Sequence, residues 1–286
     1  MESLKEANEY IKEVENTFSK PQLVDKDRKL KIGVDLGTSN IVIVVLDEQN
    51  KPVAGELYKA SVVRDGIVVD YLNAVNIVKK LKVNLEKKLN RSLNYAATAI
   101  PPGIGGGNTK VIRNVVEAAG FEVTNIIDEP TAASLVLNIK NGAVVDIGGG
   151  TTGISILKNG EVIYSGDEPT GGHHLTLVIS GNFGLEYEKA DTFKVKDENY
   201  NMVFNLVRPV IEKMADIVSH HIIGYDVDTI YLVGGTCCLK NIESIVEKYT
   251  KVKTIKTYNP LLVTPIGIAM SSEAKDWDFI DTKYKY

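Results

Sequence analysis

The sequence predicts an α/β protein made of two copies of one βββαβαβα unit, set face to face as two lobes. Three observations predict it. Strand-like and helix-like stretches interleave from Leu30 onward, the mark of the α/β class. The first strand of each half ends in the same kind of turn: Asp35-Leu36-Gly37-Thr38-Ser39 and Asp146-Ile147-Gly148-Gly149-Gly150-Thr151-Thr152. The order of elements after the first turn then repeats after the second, as expected of an internal duplication.

The elements read as follows. Leu4, Ala7, Ile11, Val14 and Phe18 recur every three or four residues, so residues 1 to about 20 form an amphipathic helix packed on the body. Pro21 ends it, and Asp25-Lys26-Asp27-Arg28-Lys29 is polar. This sets 1–29 apart as an N-terminal helical arm outside the core pattern and dispensable for the site. Strands are expected from Leu30 to the first turn, from Ile41 to Leu46, and from Val53 to Tyr58. A helix follows at about 72–90, a strand at Tyr95–Ile100, a helix at about 108–119, a strand at Val123–Ile127 and a helix from Pro130. In the second half, strands cover Ala143–Ile147, Ile154–Leu157 and, after the Asn159-Gly160 hairpin signal, Glu161–Ser165,. Helices come at about 173–180, 187–194 and 202–223. The strand Thr229–Val233 runs into Gly234-Gly235, a helix at about 239–249 precedes a strand near 252–256, and a last helix starts near Pro265. The expected division is 30–140 for lobe I, 141–262 for lobe II, and 263–275 as a helix completing lobe I.

Composition narrows the function classes. The 286 residues are 44% hydrophobic and carry a net charge of −4. No strong positive field is there to hold a nucleic acid. No apolar run reaches the ~18 residues of a membrane span. The charged start does not read as a secretory leader. The two cysteines, Cys237 and Cys238, are adjacent and form no disulfide framework; they read as small packing residues in a cytoplasmic protein. The pairs His173-His174 and His220-His221 lack the i, i+4 spacing of two ligands on one helix face. Pro101-Pro102-Gly103-Ile104-Gly105-Gly106-Gly107 lacks the Lys-Ser/Thr of a P-loop and reads as a loop over a cleft.

The two turns carry the chemistry. Glycines let the backbone approach phosphate oxygens and aim N–H groups at them. Thr38, Ser39, Thr151 and Thr152 add hydroxyls, and an aspartate beside phosphates can hold Mg²⁺ through its water shell. One such turn is a common hairpin; two at equivalent places in a duplicated unit are two grips on one set of phosphates.

These residues also resemble a family. VDLGTSN at 34–40 and VDIGGGTTGISIL at 145–157 are similar to the two phosphate motifs of the actin/Hsp70/sugar-kinase superfamily. IIDEPTAASL at 126–135 is similar to its connecting segment, YLVGGTCCL at 231–239 to its adenosine motif, and PIGIAM at 265–270 to its second connecting helix. The resemblance implies an actin-like ATPase fold with the nucleotide in a cleft between the lobes, and ATP/ADP with Mg²⁺ as cofactors. It implies Asp35 and Asp146 as Mg²⁺-associated acids and Glu129 as the residue that orients the attacking water. Gly37, Thr38, Ser39, Asn40, Gly148, Gly149, Gly150, Thr151 and Thr152 become phosphate contacts, and Gly234, Gly235 and Thr236 the adenosine turn. Gly171 and Gly172, in TGGHHLT at 170–176, resemble the bacterial actin-like families PilM and FtsA. Asp191 and Lys194 resemble the ribose-and-adenine helix. Within the superfamily the short length, GVDLGTSN and GGGTTGISIL are most similar to the ethanolamine-utilisation family. That implies a chaperone-like ATPase or assembly factor for microcompartment enzymes, with a protein client and with self-association open to it. An actin-like scaffold using ATP as a switch is the alternative. A sugar-kinase role is disfavoured, because the short cleft segments leave little chain for a sugar pocket. One departure stands out: Gly153 occupies the position of an Hsp70 aspartate, so a second acid is expected to be missing and hydrolysis to be slow. The Hsp70 catalytic lysine has no assignable counterpart.

Overall fold

The computed structural model describes residues 2–64, 66–102 and 106–274. After helix α1 (Glu2–Ser19) the chain forms β1 (Leu30–Leu36), β2 (Asn40–Asp47) and β3 (Pro52–Lys59), and a small hairpin of β4 (Val63–Arg64) and β5 (Ile67–Val68). Next come α2 (Tyr71–Leu89), β6 (Tyr95–Ile100), α3 (Gly106–Ala118), β7 (Glu122–Asp128) and α4 (Glu129–Leu137). The second half comprises β8 (Gly142–Ile147), β9 (Thr152–Lys158), β10 (Glu161–Glu168), α5 (Gly172–Phe183), α6 (Tyr187–Lys194), α7 (Tyr200–Ile222), β11 (Thr229–Val233), α8 (Ile242–Thr250), β12 (Lys253–Lys256) and α9 (Pro260–Ser271).

The duplication is plain in the sheets. One has the order β3-β2-β1-β6-β7 and the other β10-β9-β8-β11-β12. In both, the first three strands are antiparallel neighbours and the first strand pairs in parallel with the fourth. The α/β class and two-unit plan expected from the sequence therefore hold. Each sheet covers its own core. Ile32, Val34 and Ile43 meet α2 and α3 on one side; Val145, Ile154 and Ile156 meet α5, α7 and α8 on the other. A third core lies between the sheets, where α1, α4 and α9 pack on Val42, Val44, Val144 and Leu157. Alternation does the sorting: neighbouring residues of one strand point to opposite faces, so Val42 and Val44 face the middle layer while Ile41 and Ile43 face α2.

Several boundaries differ from the sequence reading. Helix α1 is not an arm outside the core. Ile11 and Val14 are fully buried in the middle layer, and the Phe18 ring occupies the space in front of Gly55 where a Cβ would otherwise stand. Helix α9 begins at Pro260, not Pro265. Asn259 caps it by accepting from the Leu261 N–H at 3.2 Å, and Pro260 at the first position needs no hydrogen-bond acceptor. The helix expected at 239–249 starts three residues later, at Ile242: Gly235–Cys238 forms a 3-10 turn before it, and Asn241 at φ 62° interrupts the chain. β10 runs to Glu168, three residues past its expected end.

Candidate functional site

Asp35 and Asp146 lie near the carboxyl ends of β1 and β8, the middle strand of each sheet. The following turns therefore leave the two sheets at matching places and meet. A Cβ added to Gly149 would collide with the Ser39 hydroxyl, so the glycine is what lets the turns close on each other. In the second turn the Gly148 N–H donates to Thr151 O at 3.0 Å. Its carbonyls are tied back: Gly172 N–H donates to Gly148 O at 3.0 Å, His173 N–H to Gly149 O at 2.7 Å, and the Thr236 hydroxyl to Gly148 O at 2.7 Å. Turning carbonyl oxygens away is what an anion-binding turn requires, since they would repel phosphate.

Three carboxylates share the cleft floor. Asp146 is 8% exposed and accepts the Thr264 hydroxyl at 2.8 Å. Glu129 is the first residue of α4, directly after Asp128, whose side chain caps the helix by accepting from the Thr131 N–H at 2.9 Å. Burial, reinforced by the charge of Asp146, pushes Asp35 up to about 7. Burial pushes Asp146 up to about 6 against the opposing Thr264 hydrogen bond. Burial and then the charges of Asp146, Asp35, Asp167 and Asp128 hold Glu129 well above the usual carboxylate range. Acids whose ionisation is opposed by burial, and for Asp35 and Glu129 also by neighbouring carboxylates, are the arrangement a cation relieves,. Among the described residues no three His, Cys, Asp or Glu side chains come together closely enough to ligate one metal ion. Mg²⁺ fits this donor set through its own waters and phosphate oxygens.

The opposite wall comes from the second unit. Lys194 donates to Gly172 O at 3.3 Å, to the Thr176 hydroxyl at 2.7 Å and to Asp191 Oδ1 at 2.7 Å. Burial alone would raise Asp191, but the Lys194 hydrogen bond and charge outweigh it and hold it low. Gly234, at φ 91°, passes directly against Asp146; a Cβ there would strike the carboxylate and come within 2.6 Å of Ile147 O. The cleft so formed has a volume of about 430 Å³, within the range of small-ligand sites.

Of the residues singled out in the sequence, Asp35, Gly37, Thr38, Ser39, Asn40, Glu129 and Asp146 line this cleft, as do Gly148 to Thr151, Gly172, Asp191, Lys194 and Gly234 to Thr236. Two are placed elsewhere. Thr152 is fully buried: it pairs with Ile147, one residue past Asp146, so its side chain points to the opposite face and donates to Thr170 O at 2.7 Å. Gly171 supports the turn from behind, where a Cβ would lie 2.7 Å from the carbonyls of Gly148 and Gly149. Of the cysteines, Cys237 is buried as expected while Cys238 is exposed on the cleft wall. His173 bonds the Tyr187 hydroxyl at 2.9 Å, and His221 bonds Tyr164 at 2.6 Å and Glu168 at 3.1 Å. In the Pro101–Gly107 stretch Pro101 lines the cleft, and 103–105 lie outside the described residues.

Other residues of the cleft escaped the sequence reading. Lys59 lines it from the end of β3. Tyr200 and Lys240 line it from the other side; Lys240 pairs with Asp197 at 2.8 Å, and the Tyr200 hydroxyl donates to the Lys240 carbonyl at 3.3 Å. Thr264 stands one residue before the PIGIAM motif, close enough that extending the motif would have included it. Asp167, near the end of β10, does not line the cleft but lies close enough for its charge to act on Glu129.

Paired sheets of one topology, each delivering an aspartate and a glycine turn into a shared cleft, define the two-lobed fold of the actin/Hsp70 ATPase superfamily. Family models agree: that of the type IV pilus assembly protein PilM matches residues 130–264 and that of MreB/Mbl protein matches 52–190. The ethanolamine utilization protein EutJ of Salmonella typhimurium is 42% identical over 250 residues, 87% of this chain and 88% of the relative. The crystal structure of EutJ from Carboxydothermus hydrogenoformans superposes with a TM-score of 0.88 at 42% identity, covering 94% of this chain and 99% of that one. The chain belongs to the EutJ family. MreB5 of Spiroplasma citri bound to ADP has the same fold at 19% identity, with a TM-score of 0.66 over 84% of this chain and 94% of that one. Among the described residues no helix is long and apolar enough to cross a membrane.

Proposed function

We propose that this chain is a slow Mg·ATP hydrolase that serves, as a chaperone-like or assembly factor, the enzymes of an ethanolamine-utilisation microcompartment in the cytoplasm. The observation that carries the nucleotide reading is the meeting of the two glycine turns above Asp35, Asp146 and Glu129 in one cleft. Membership of the EutJ family supports the ethanolamine-utilisation setting, and an ATP-dependent fold supports a protein client whose state it changes. Bound Mg²⁺ would neutralise phosphate charge and present ordered waters. Asp35 and Asp146 would accept hydrogen bonds from those waters, with Thr264 keeping the Asp146 carboxylate aimed. The turns around Thr38-Ser39 and Gly149-Thr151 would hold the phosphates, and Asp191 would bind the ribose. Burial and the neighbouring carboxylates raise the Glu129 carboxyl above the usual range, and bound positive charge would oppose that shift; Glu129 would then orient the attacking water and accept its proton. Positioning and charge neutralisation supply most of the rate in such phosphoryl transfers.

The test has two parts. Saturating Mg·ATP should raise the melting temperature, because only the folded cleft binds it. Glu129→Gln should lower single-turnover hydrolysis by roughly 10²–10⁴-fold while ATP affinity stays within a few-fold. Parent-like hydrolysis in Glu129→Gln would reduce that residue to a helix-start acid placed to suit the α4 dipole. Pelleting of the ATP-loaded protein on sedimentation would instead favour a filament-forming scaffold.

A further inference from the structure

The second sheet carries a row that the first sheet does not. Asp146 of β8 pairs with Gly153 of β9, and Gly153 pairs with Asp167 of β10. Residues directly opposite on adjacent strands point to the same face. Asp146 and Asp167 therefore project from one face, into the space between the sheets, with a glycine between them. The equivalent row of the first sheet runs Asp35, Val42, Leu57, an acid followed by two apolar side chains. The two copies thus part company at this row: where one has packing, the other has an empty position and a second acid.

The empty position is used. A Cβ built on Gly153 would lie 3.6 Å from Asp167 Oδ1 and 3.5 Å from the Pro102 ring, so the Asp167 carboxylate lies over the glycine on the face that carries Asp146. Asp167 is also among the charges acting on Glu129, which places it within electrostatic reach of the carboxylate expected to handle the attacking water. A β-bulge brings it there. From the hairpin at Asn159-Gly160, regular pairing would set Gly166 opposite Gly153; the shift between Val162 and Tyr164 replaces it with Asp167.

We infer that Asp167 joins Asp35, Asp146 and Glu129 as a positioning residue that reaches across Gly153 to hold the water shell of the divalent cation bound with the nucleotide. This rests on the Mg·ATP reading above. Mg²⁺ retains most of its waters when bound, and carboxylates that accept hydrogen bonds from those waters orient them without touching the ion. Asp167 would share this task with Asp146 from the far side of the row.

The experiment is a Mg²⁺ titration of ATP binding, read by calorimetry, with ATP affinity in EDTA and the melting temperature measured on the same proteins. Asp167→Asn should raise the Mg²⁺ concentration for half-maximal effect by about 10-fold, while affinity in EDTA stays within about twofold. The double variant Gly153→Asp/Asp167→Ala moves the carboxylate one strand nearer to Asp146. A Cβ at Gly153 meets only ordinary contact distances, and Asp167→Ala removes the carboxylate beside it, so the double variant should recover most of the loss. An unchanged Mg²⁺ dependence in Asp167→Asn would overturn the inference while leaving the nucleotide reading intact. So would an equal loss with and without Mg²⁺ that the double variant does not rescue, since that is a folding defect. If the parent protein itself shows no Mg²⁺-dependent ATP binding, the nucleotide reading fails and this inference falls with it.

Discussion

Changing Asp35 to Asn should make the ligand-free protein more stable and the loaded protein weaker. Asp35 is pushed up to about 7 by burial and by Asp146, against about 3.9 for an unfolded aspartate. A folded state that keeps its proton longer than the unfolded state loses stability as pH rises between those two values. The loss is about 1.4 kcal/mol per pH unit over some three units, so about 4 kcal/mol is the ceiling at pH 8. Local relaxation and water in the open cleft reduce it; about 2 kcal/mol is the working expectation. Asparagine has the same shape and no charge. At pH 8 Asp35→Asn should therefore melt about 4–8 °C above the parent. The advantage should shrink as pH falls from 7 and be nearly gone at pH 4, where the unfolded carboxyl also holds its proton about half the time. Adding Mg·ATP at pH 8 should reverse the order, since the parent gains a partner for its charge and the variant does not. The assay is thermal unfolding from pH 4.5 to 8.5, with and without Mg·ATP. A variant no more stable than the parent at pH 8, or equally more stable at every pH, would refute the reasoning.

Three further outcomes follow from the same structure. Thr264→Val removes the hydroxyl that donates to Asp146 and should cost about 1–3 kcal/mol of stability at pH 8, with little change at pH 4.5, as measured by urea unfolding. Gly234→Ala forces a Cβ against Asp146 at a positive φ; it should lose about 1–3 kcal/mol from strain and bind ATP at least several-fold more weakly by calorimetry. Ile11→Ala should destabilise by about 2–5 kcal/mol, and deletion of residues 1–20 by more, because Val42, Val44 and Leu46 lose their cover; a truncation with the parent melting temperature would show that α1 contributes nothing to the middle layer.

The parts of the site legible in the sequence are those fixed by the local chain. Asp35 and Asp146 end strands whose alternation is regular, and the glycines after them permit few conformations, so pattern and turn chemistry place both acids in one cleft once the duplication is seen. What depends on register or on distant packing was not legible. Thr152 looks like its neighbour Thr151, but the strand begins there and its alternation turns the hydroxyl to the other face. Asp167 is hidden by a bulge that no residue type announces. The apolar stripe of α1 says that the helix packs, not that it packs between the two sheets. At α9, Asn259-Pro260 and Pro265 both offer a helix start, and the contact of Gly33 with the backbone of Pro265 and Ala269 shows why the longer helix wins: β1 needs α9 to run alongside it.

The position of α1 also connects the two ends of the described chain to the floor of the cleft. Glu15 Oε1 accepts from Asn259 Nδ2 at 2.8 Å, and Asn8 Oδ1 accepts from the Tyr258 N–H at 2.8 Å. Asn259 caps α9, Pro260 O accepts the Gly234 N–H at 3.0 Å, and Thr264, one turn further on, holds Asp146. Short hydrogen-bonded links thus run from the first helix to the Asp146 carboxylate in the cleft. The first helix is thus joined to the cleft by hydrogen bonds as well as by packing, so its placement and that of Asp146 are set together.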